Sequence, residues 1–326
     1  MINSVRNTVL SILNKNNYGY ISPSDFNLFA KQSQLDLFET YFYQYNYQIN
    51  KENARQSGEG YANITKGIEE LIDIFSVTSP LSLSTLQPTI NNTYYLPSPT
   101  TTGDDYYLLN KVLVYSDLIT SGVTTAIGAG LELIDSNATF QTNGVQAGDI
   151  IGLVSGGITQ YVTVALVNSQ TSITTTASII TLTPWNVPGI SYSVYDDKTS
   201  EVEKVSHNKI TMLNSSKLTK PTLTYPAYTE EAITLTAFPS TINNIGQVVS
   251  QYIRYPKAPK WTFVSLTNGE PTFDQSQPDY QDFELSLDCE PDLVSKILQY
   301  AGMSIREVGA VQFGQSLEQV DNQSQQ

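Results

Sequence analysis

The stretch Asn14–Phe26, NKNNYGYISPSDF, can be read in two ways. Gly19 in sixth place, Ile21 in eighth and Asp25 in twelfth follow the spacing of an EF-hand loop, which would make this a calcium-regulated helix pair. Ligand chemistry argues against calcium. The first and third places are Asn14 and Asn16, and the fifth is Tyr18, whose phenol does not replace a short carboxylate. Asp25 is shorter than the usual bidentate Glu, and Lys15 adds a positive charge. A single carboxylate does not hold a dehydrated divalent cation. The other reading is a helical hairpin. Gly19 turns the chain, Ser22 caps a helix with Pro23 in its first turn and Asp25 three residues on, and Phe26 staples the start to the core.

The flanks agree with a hairpin. Val5, Val9, Ile12 and Leu13 form one apolar face before it. After it, Phe26, Phe29, Ala30, Ser33, Leu37, Phe38, Tyr41, Phe42 and Tyr45 recur at helical spacing. Beyond Gly58 and Gly60, the residues Ile64, Ile68, Leu71, Ile72 and Phe75 suggest a third helix. From Pro80 the pattern changes to short β-prone runs punctuated by Pro88, Pro97 and Pro99. Between Ile119 and Tyr195 the runs GVQAGDIIGLV (144–154), QYVTVALVNSQTSI (160–173) and ISYSVY (190–195) alternate with period two between turn residues, which predicts a small β-barrel or sandwich. The segment 200–216 reads as a helix, and 221–229, 233–242, 248–261 and 281–287 read as strands. Glu290-Pro291-Asp292 then caps a helix carrying Leu293, Val294, Ile297, Leu298 and Ala301. The polar, Gln-rich end at 315–326 reads as disordered when alone.

The expected fold is therefore α+β. A helical hairpin or bundle core with mixed β structure comes from 1–118 and 196–301, a small β-barrel or sandwich is inserted at 119–195, and a C-terminal helix leads into an extended arm at 302–326. The 326 residues suit about two domains at roughly 150 residues each. Charged residues make up only 15% of the chain, so Ser, Thr, Asn, Gln and Tyr must supply the surface, a composition suited to wide contacts between subunits. The net charge of −14 disfavours general nucleic-acid binding, although a wall of like charge lets a polyanion pass without sticking. One cysteine excludes an internal disulfide. The start lacks a signal-peptide pattern, and no run reaches the length of a membrane span, so the expectation is a soluble chain made in the cytoplasm with no membrane partner.

Chemistry-bearing residues are sparse. His207 stands alone and reads as structural or solvent-facing, and Cys289 reads as a small packed residue at a strand end. One histidine and one cysteine make no metal set of the Cys/His type. The acid pairs Asp104-Asp105, Asp196-Asp197 and Glu230-Glu231 point to opposite faces when extended, so none is a ready acid/base couple. Ser155–Ile158 lacks the Lys-Ser/Thr of a phosphate loop. No catalytic residue, cofactor or metal is expected. The one basic concentration is YIRYPKAPKW (252–261), where Arg254, Lys257, Lys260 and Trp261 sit at the edge of a strand or its exit. An interface with the acidic surface of a neighbouring copy fits it better than DNA phosphate.

The opening INSVRNTVLSILNKNNYGYISPSDFNLFAKQSQLDLFETYFYQYN (2–46) resembles the start of a structural protein of crAss-like bacteriophages that infect gut Bacteroidales. KITMLNSSKLTKPTLTYPAYT (209–229), YIRYPKAPKW and the closing PDLVSKILQYAGMSIREVGAVQFGQSLEQVDNQSQQ (291–326) are similar to the same family, while the β insert is not clearly covered. The resemblance implies a virion ring of the head-to-tail adaptor type in the neck or tail of a short-tailed phage. It implies a homo-oligomer copying the portal's dodecameric symmetry, with the portal protein and adjacent tail ring or fibre proteins as partners. Genomic DNA would pass through its lumen without sequence-specific binding. Gly302–Gln326 would then be the portal-docking arm, with Val311, Phe313, Leu317 and Val320 as its contacts. Phe38, Tyr41, Phe42 and Tyr45 are candidate subunit contacts, with intrachain packing as the plain alternative, and Arg254, Lys257, Lys260 and Trp261 are candidates for a neighbour or tail contact. The rival function is a tail component that binds glycan or a fibre through the β insert.

Overall fold

The computed structural model describes residues 1–13, 21–54, 70, 72–86, 91–127, 131–155, 158–177, 189–265, 271–305, 312 and 315–316. The fold is mixed α+β. The chain divides into two compact units, Met1–Phe75 with Tyr255–Gln326, and Ser76–Arg254.

In the first unit, α1 (Ile2–Leu13) and α2 (Pro23–Ala54) pack with a C-terminal helix, α5 (Glu290–Ile305). Ser22 caps α2 as its sequence suggests: its Oγ accepts the Asp25 N–H at 3.1 Å and donates to the Asp25 carboxylate at 2.7 Å. The Asp25 carboxylate is thus occupied by the cap. Most of the loop before it, including Asn14, Asn16 and Tyr18, lies outside the described residues. The α2 face that turns inward is Phe26, Ala30, Ser33, Gln34, Leu37, Phe38 and Phe42, and the α5 face is Leu293, Val294, Ile297, Leu298 and Ala301. Both follow the helical repeat in the sequence. Of the suggested third helix, Ile72 and Phe75 are buried, and Ile64, Ile68 and Leu71 lie outside the described residues.

The start of α1 is capped from the far end of the chain. Asp282 accepts the Ile2 N–H at 2.7 Å and the Met1 ammonium at 3.0 Å, and its own carboxylate also takes the Phe283 N–H at 2.8 Å. Burial alone would raise the Asp282 pKa, but these donors outweigh it and hold the carboxyl below its usual range. A depressed folded pKa stabilises the fold fully above the unfolded value of about 3.9, and that stabilisation is lost as pH falls through the folded value. The urea midpoint of the full chain is therefore expected to fall between about pH 5 and pH 2.5 by more than that of Asp282→Asn. Parallel curves for the two proteins would refute the capping role.

The second unit is built of sheets. β1 (Ser76–Pro80), β15 (Val248–Arg254), β3 (Tyr106–Tyr115) and β11 (Thr199–Glu201) form one four-stranded antiparallel sheet in that order. β12 (Glu203–Lys204), β13 (Ala227–Glu230), β14 (Thr234–Phe238) and β2 (Thr93–Tyr95) form another, in which only the β12–β13 pair is parallel. The two share a core that includes Tyr94, Val112, Val114, Tyr228, Leu235 and Val248.

Between β3 and β11 lies a curled antiparallel half-barrel. Its order is β4 (Leu118–Val123), β10 (Ser191–Tyr195), β7 (Ile150–Ser155), β8 (Ile158–Val167), β9 (Ser172–Thr175), β6 (Glu132–Ile134) and β5 (Ala126–Ile127). β4 and β5 are consecutive pieces of one extended segment, so the half-barrel has six strands. The handover falls at two threonines, where the Thr124 N–H donates to Ile190 O and the Thr125 N–H donates to Ile134 O. A bulge in β8 between Val164 and Leu166 lets the sheet bend. Leu133, Ile151, Leu153, Val164 and Val194 form its core with Phe140 of a short helix, α3 (Phe140–Asn143). Of the barrel and the sandwich, the curl corresponds to the barrel.

Two local expectations are corrected. In 200–216 only His207–Asn214 is helical (α4), because the residues before it pair with β3 and β13. Residues 281–287 do not form a strand. Only Gln281 bridges, to Lys260; the Phe283 N–H turns to the Asp282 carboxylate, and the Glu284 N–H donates to Gln34 Oε1 of α2 at 3.1 Å. One small hairpin, β16 (Phe263–Ser265) with β17 (Pro271–Phe273), completes the first unit's described strands.

Candidate functional site

The described candidate surface residues differ in burial. YIRYPKAPKW straddles the boundary between the units. Tyr252–Arg254 ends β15, a central strand rather than an edge, and 255–261 belongs to the first unit. Lys257 and Lys260 are exposed, and Arg254 is half-buried. The Lys260 ammonium pairs with the Asp279 carboxylate, while the Lys257 ammonium has no ion pair among the described residues.

Trp261 is only 2% exposed and organises the first unit. The Arg6 guanidinium lies over its ring at 3.8 Å from the centroid, and Phe263 and Phe273 stack at 5.7 and 6.0 Å. Its indole N–H donates to Asn3 Oδ1 at 3.1 Å. The Asn27 side chain clamps its backbone, accepting its N–H at 2.8 Å and donating to its carbonyl at 3.2 Å. Trp261 therefore ties α1, α2 and the β16–β17 hairpin together.

Phe38 and Phe42 are likewise buried, edge-on at 4.9 Å, and Phe38 also meets Phe75 at 5.1 Å. Tyr41 is half-buried with its hydroxyl 2.7 Å from the Cys289 sulfur. Burial, then the Cys289 contact, pushes its pKa up. These placements assign Phe38, Phe42 and Trp261 to packing within the chain. The Tyr45 side chain, and Val311, Phe313, Leu317 and Val320, lie outside the described residues. His207 is exposed at the start of α4, and Cys289 is buried.

Sequence reading missed a tyrosine joint in the second unit. Three hydroxyls converge on three consecutive carbonyls of the β14–β15 loop: Tyr94 on Asn244 at 3.1 Å, Tyr195 on Ile245 at 2.6 Å, and Tyr161 on Gly246. Tyr115 stacks on Tyr195 at 5.4 Å and meets Tyr161 edge-on at 5.7 Å. Burial pushes the Tyr94 and Tyr161 hydroxyls well above their ordinary pKa, so they stay protonated as donors. The joint locks the half-barrel to the paired sheets. A count of 21 tyrosines hinted at such a cluster without placing it.

The half-barrel also carries a cleft of about 490 Å³ along β4, lined by Thr120, Ser121, Thr124, Thr139 and Asn143. Asp135, 3% exposed, reaches its wall. Its carboxylate accepts the Asn137 N–H at 2.9 Å and the Tyr192 hydroxyl at 2.7 Å. A side chain at Gly122 would fall 2.5 Å from that carboxylate. The lining contains no Lys, Arg or aromatic residue.

Among the described residues no group of three or more His, Cys, Asp or Glu side chains is placed to hold a metal ion, and no helix is long and apolar enough to cross a membrane. No protein-family model matches the sequence, and no curated protein matches it significantly.

Proposed function

We propose that this chain is a non-enzymatic structural protein of a phage virion. It forms a ring at the neck that joins the portal to the tail and surrounds the DNA channel. The observation that carries this reading is the union of the opening and closing stretches that bear the family resemblance; a third such stretch, 209–229, belongs to the second unit. The opening helices and the closing helix, far apart in sequence, build one compact unit through Trp261, Asp282 and the α2–α5 packing. A helical core made from both ends, continued by a C-terminal segment, is the organisation that head-to-tail adaptors lead one to expect. The net charge of −14 suits a lumen that DNA traverses.

Negative-stain imaging of the purified full chain, alone and mixed with the cognate portal protein, tests the proposal. Discrete rings, or rings seated on the portal with its twelvefold symmetry, are expected. A chain that stays monomeric and ignores the portal would count decisively against it.

A second reading, a tail component that binds glycan through the β insert, has one observation in its favour. The cleft is lined by hydroxyls and two amides, Asn137 and Asn143, around a buried carboxylate, a chemistry that suits a neutral polyol. Glycan-array binding by the full chain, lost in Asp135→Asn, is the expected result under this reading.

A further inference from the structure

The segment 206–226 leaves the sheet after β12, forms α4, turns, and returns at β13. Its base is anchored: Ile210 packs with Val205 and Ala227, and Pro221 and Pro226 are buried. Its outer part is not covered. Leu218 is 96% exposed, Tyr225 80% and Met212 74%.

This projection nevertheless holds a defined shape through its own bonds. Ser206 caps α4, the Thr219 hydroxyl donates to Leu213 O at 3.1 Å, and the Lys220 N–H donates to Ser216 O at 3.0 Å. Thr222 and Tyr225 exchange backbone hydrogen bonds, each at 3.2 Å. A surface element that is organised and still presents large apolar side chains to water is a signature of a contact site. Because the shape is set beforehand, little ordering entropy remains to be lost on docking.

Its charge selects the partner. Within 206–226 there are three lysines and no acid, in a chain of net charge −14. The acids near its base are engaged, Glu203 with Lys209 and Glu230 with Lys204. Lys217 and Lys220 have no ion pair among the described residues. We propose that this projection docks onto the acidic surface of a second copy of the same chain, with Leu218 and Tyr225 desolvated at the contact and Lys217 and Lys220 steering it. Each copy then carries both halves of the contact, a basic apolar knob and an acidic body. That is the head-to-tail arrangement which closes into rings. The exposed apolar side chains favour a protein surface over nucleic-acid phosphate. The inference rests on the ring reading and deepens it by naming the subunit contact.

Sedimentation velocity on the full chain over a range of concentrations, at low and high salt, tests the proposal. Two variants are compared with wild type: Leu218→Asp with Tyr225→Ser, and Lys217→Glu with Lys220→Glu. Wild type is expected to assemble, and each variant to need at least about 10-fold higher concentration while keeping wild-type circular dichroism and melting. Raised salt should weaken wild type more than the charge variant. If wild type and both variants assemble alike, the knob is excluded and the ring reading stands. If wild type stays monomeric throughout, both fall. If the charge variant assembles normally but loses retention on duplex DNA, the surface belongs to nucleic acid and the proposal is overturned.

Discussion

Trp261→Ala is expected to destabilise the full chain by about 3–5 kcal/mol, the range for removing a buried large aromatic side chain. Three losses combine at this position. The cavity forms where α1, α2 and the β16–β17 hairpin meet, so no single element can move in to fill it. The Arg6 guanidinium loses the ring beneath it, and Asn3 loses its indole donor. Trp261→Phe separates these effects. It keeps a stacked ring but removes the donor, and a cost of about 1–2 kcal/mol is expected. Urea unfolding followed by helical circular dichroism gives both values. If Trp261→Ala unfolds within about 1 kcal/mol of wild type, Trp261 is not the hub of the helical unit.

Gly246→Val is expected to cost about 3 kcal/mol or more, from two sources. The backbone at Gly246 has φ of +67°, a left-handed conformation that a β-branched residue adopts only under strain. A Cβ there would also sit 2.9 Å from Gly152 Cα and 3.0 Å from the Tyr161 ring. The first of these is backbone of the half-barrel and cannot swing aside, so relief would require opening the tyrosine joint. Gly103 provides the control. Its φ is +88°, but a Cβ there meets nothing within 4 Å, so Gly103→Ala should cost only about 1 kcal/mol. Near-equal losses for the two substitutions, measured by urea unfolding, would show that the close approach of Gly246 to Gly152 contributes nothing.

Features carried by local rules were legible in the sequence. The Ser22 cap, the inward faces of α2 and α5 and the alternating strands of the half-barrel each depend on neighbours within one turn or one hairpin. The wrong expectations share a cause. The letters of 200–206 suggest helix and those of 281–287 strand, yet in both places a distant partner claims the segment: β3 and β13 for the first, Gln34 and the start of α1 for the second. The interface candidates show the same limit. Aromatic residues among cations look alike on a surface and in a core, and only burial assigns Trp261, Phe38 and Phe42 to packing. The sequence does not mark the projection at 206–226 as a contact surface, because exposure of Leu218 and Tyr225 is not a local property of the letters around them.

What the sequence determined by itself was the α+β class, the Ser22 cap that starts α2, and the stretch that forms the half-barrel. Periodicity and capping act over a few residues and leave their mark in the letters. What the tertiary structure decided was which end caps which helix, where three tyrosines meet three successive carbonyls, and which apolar side chains stay uncovered. Those outcomes depend on segments tens to hundreds of residues apart meeting in space, and no local pattern records such a meeting.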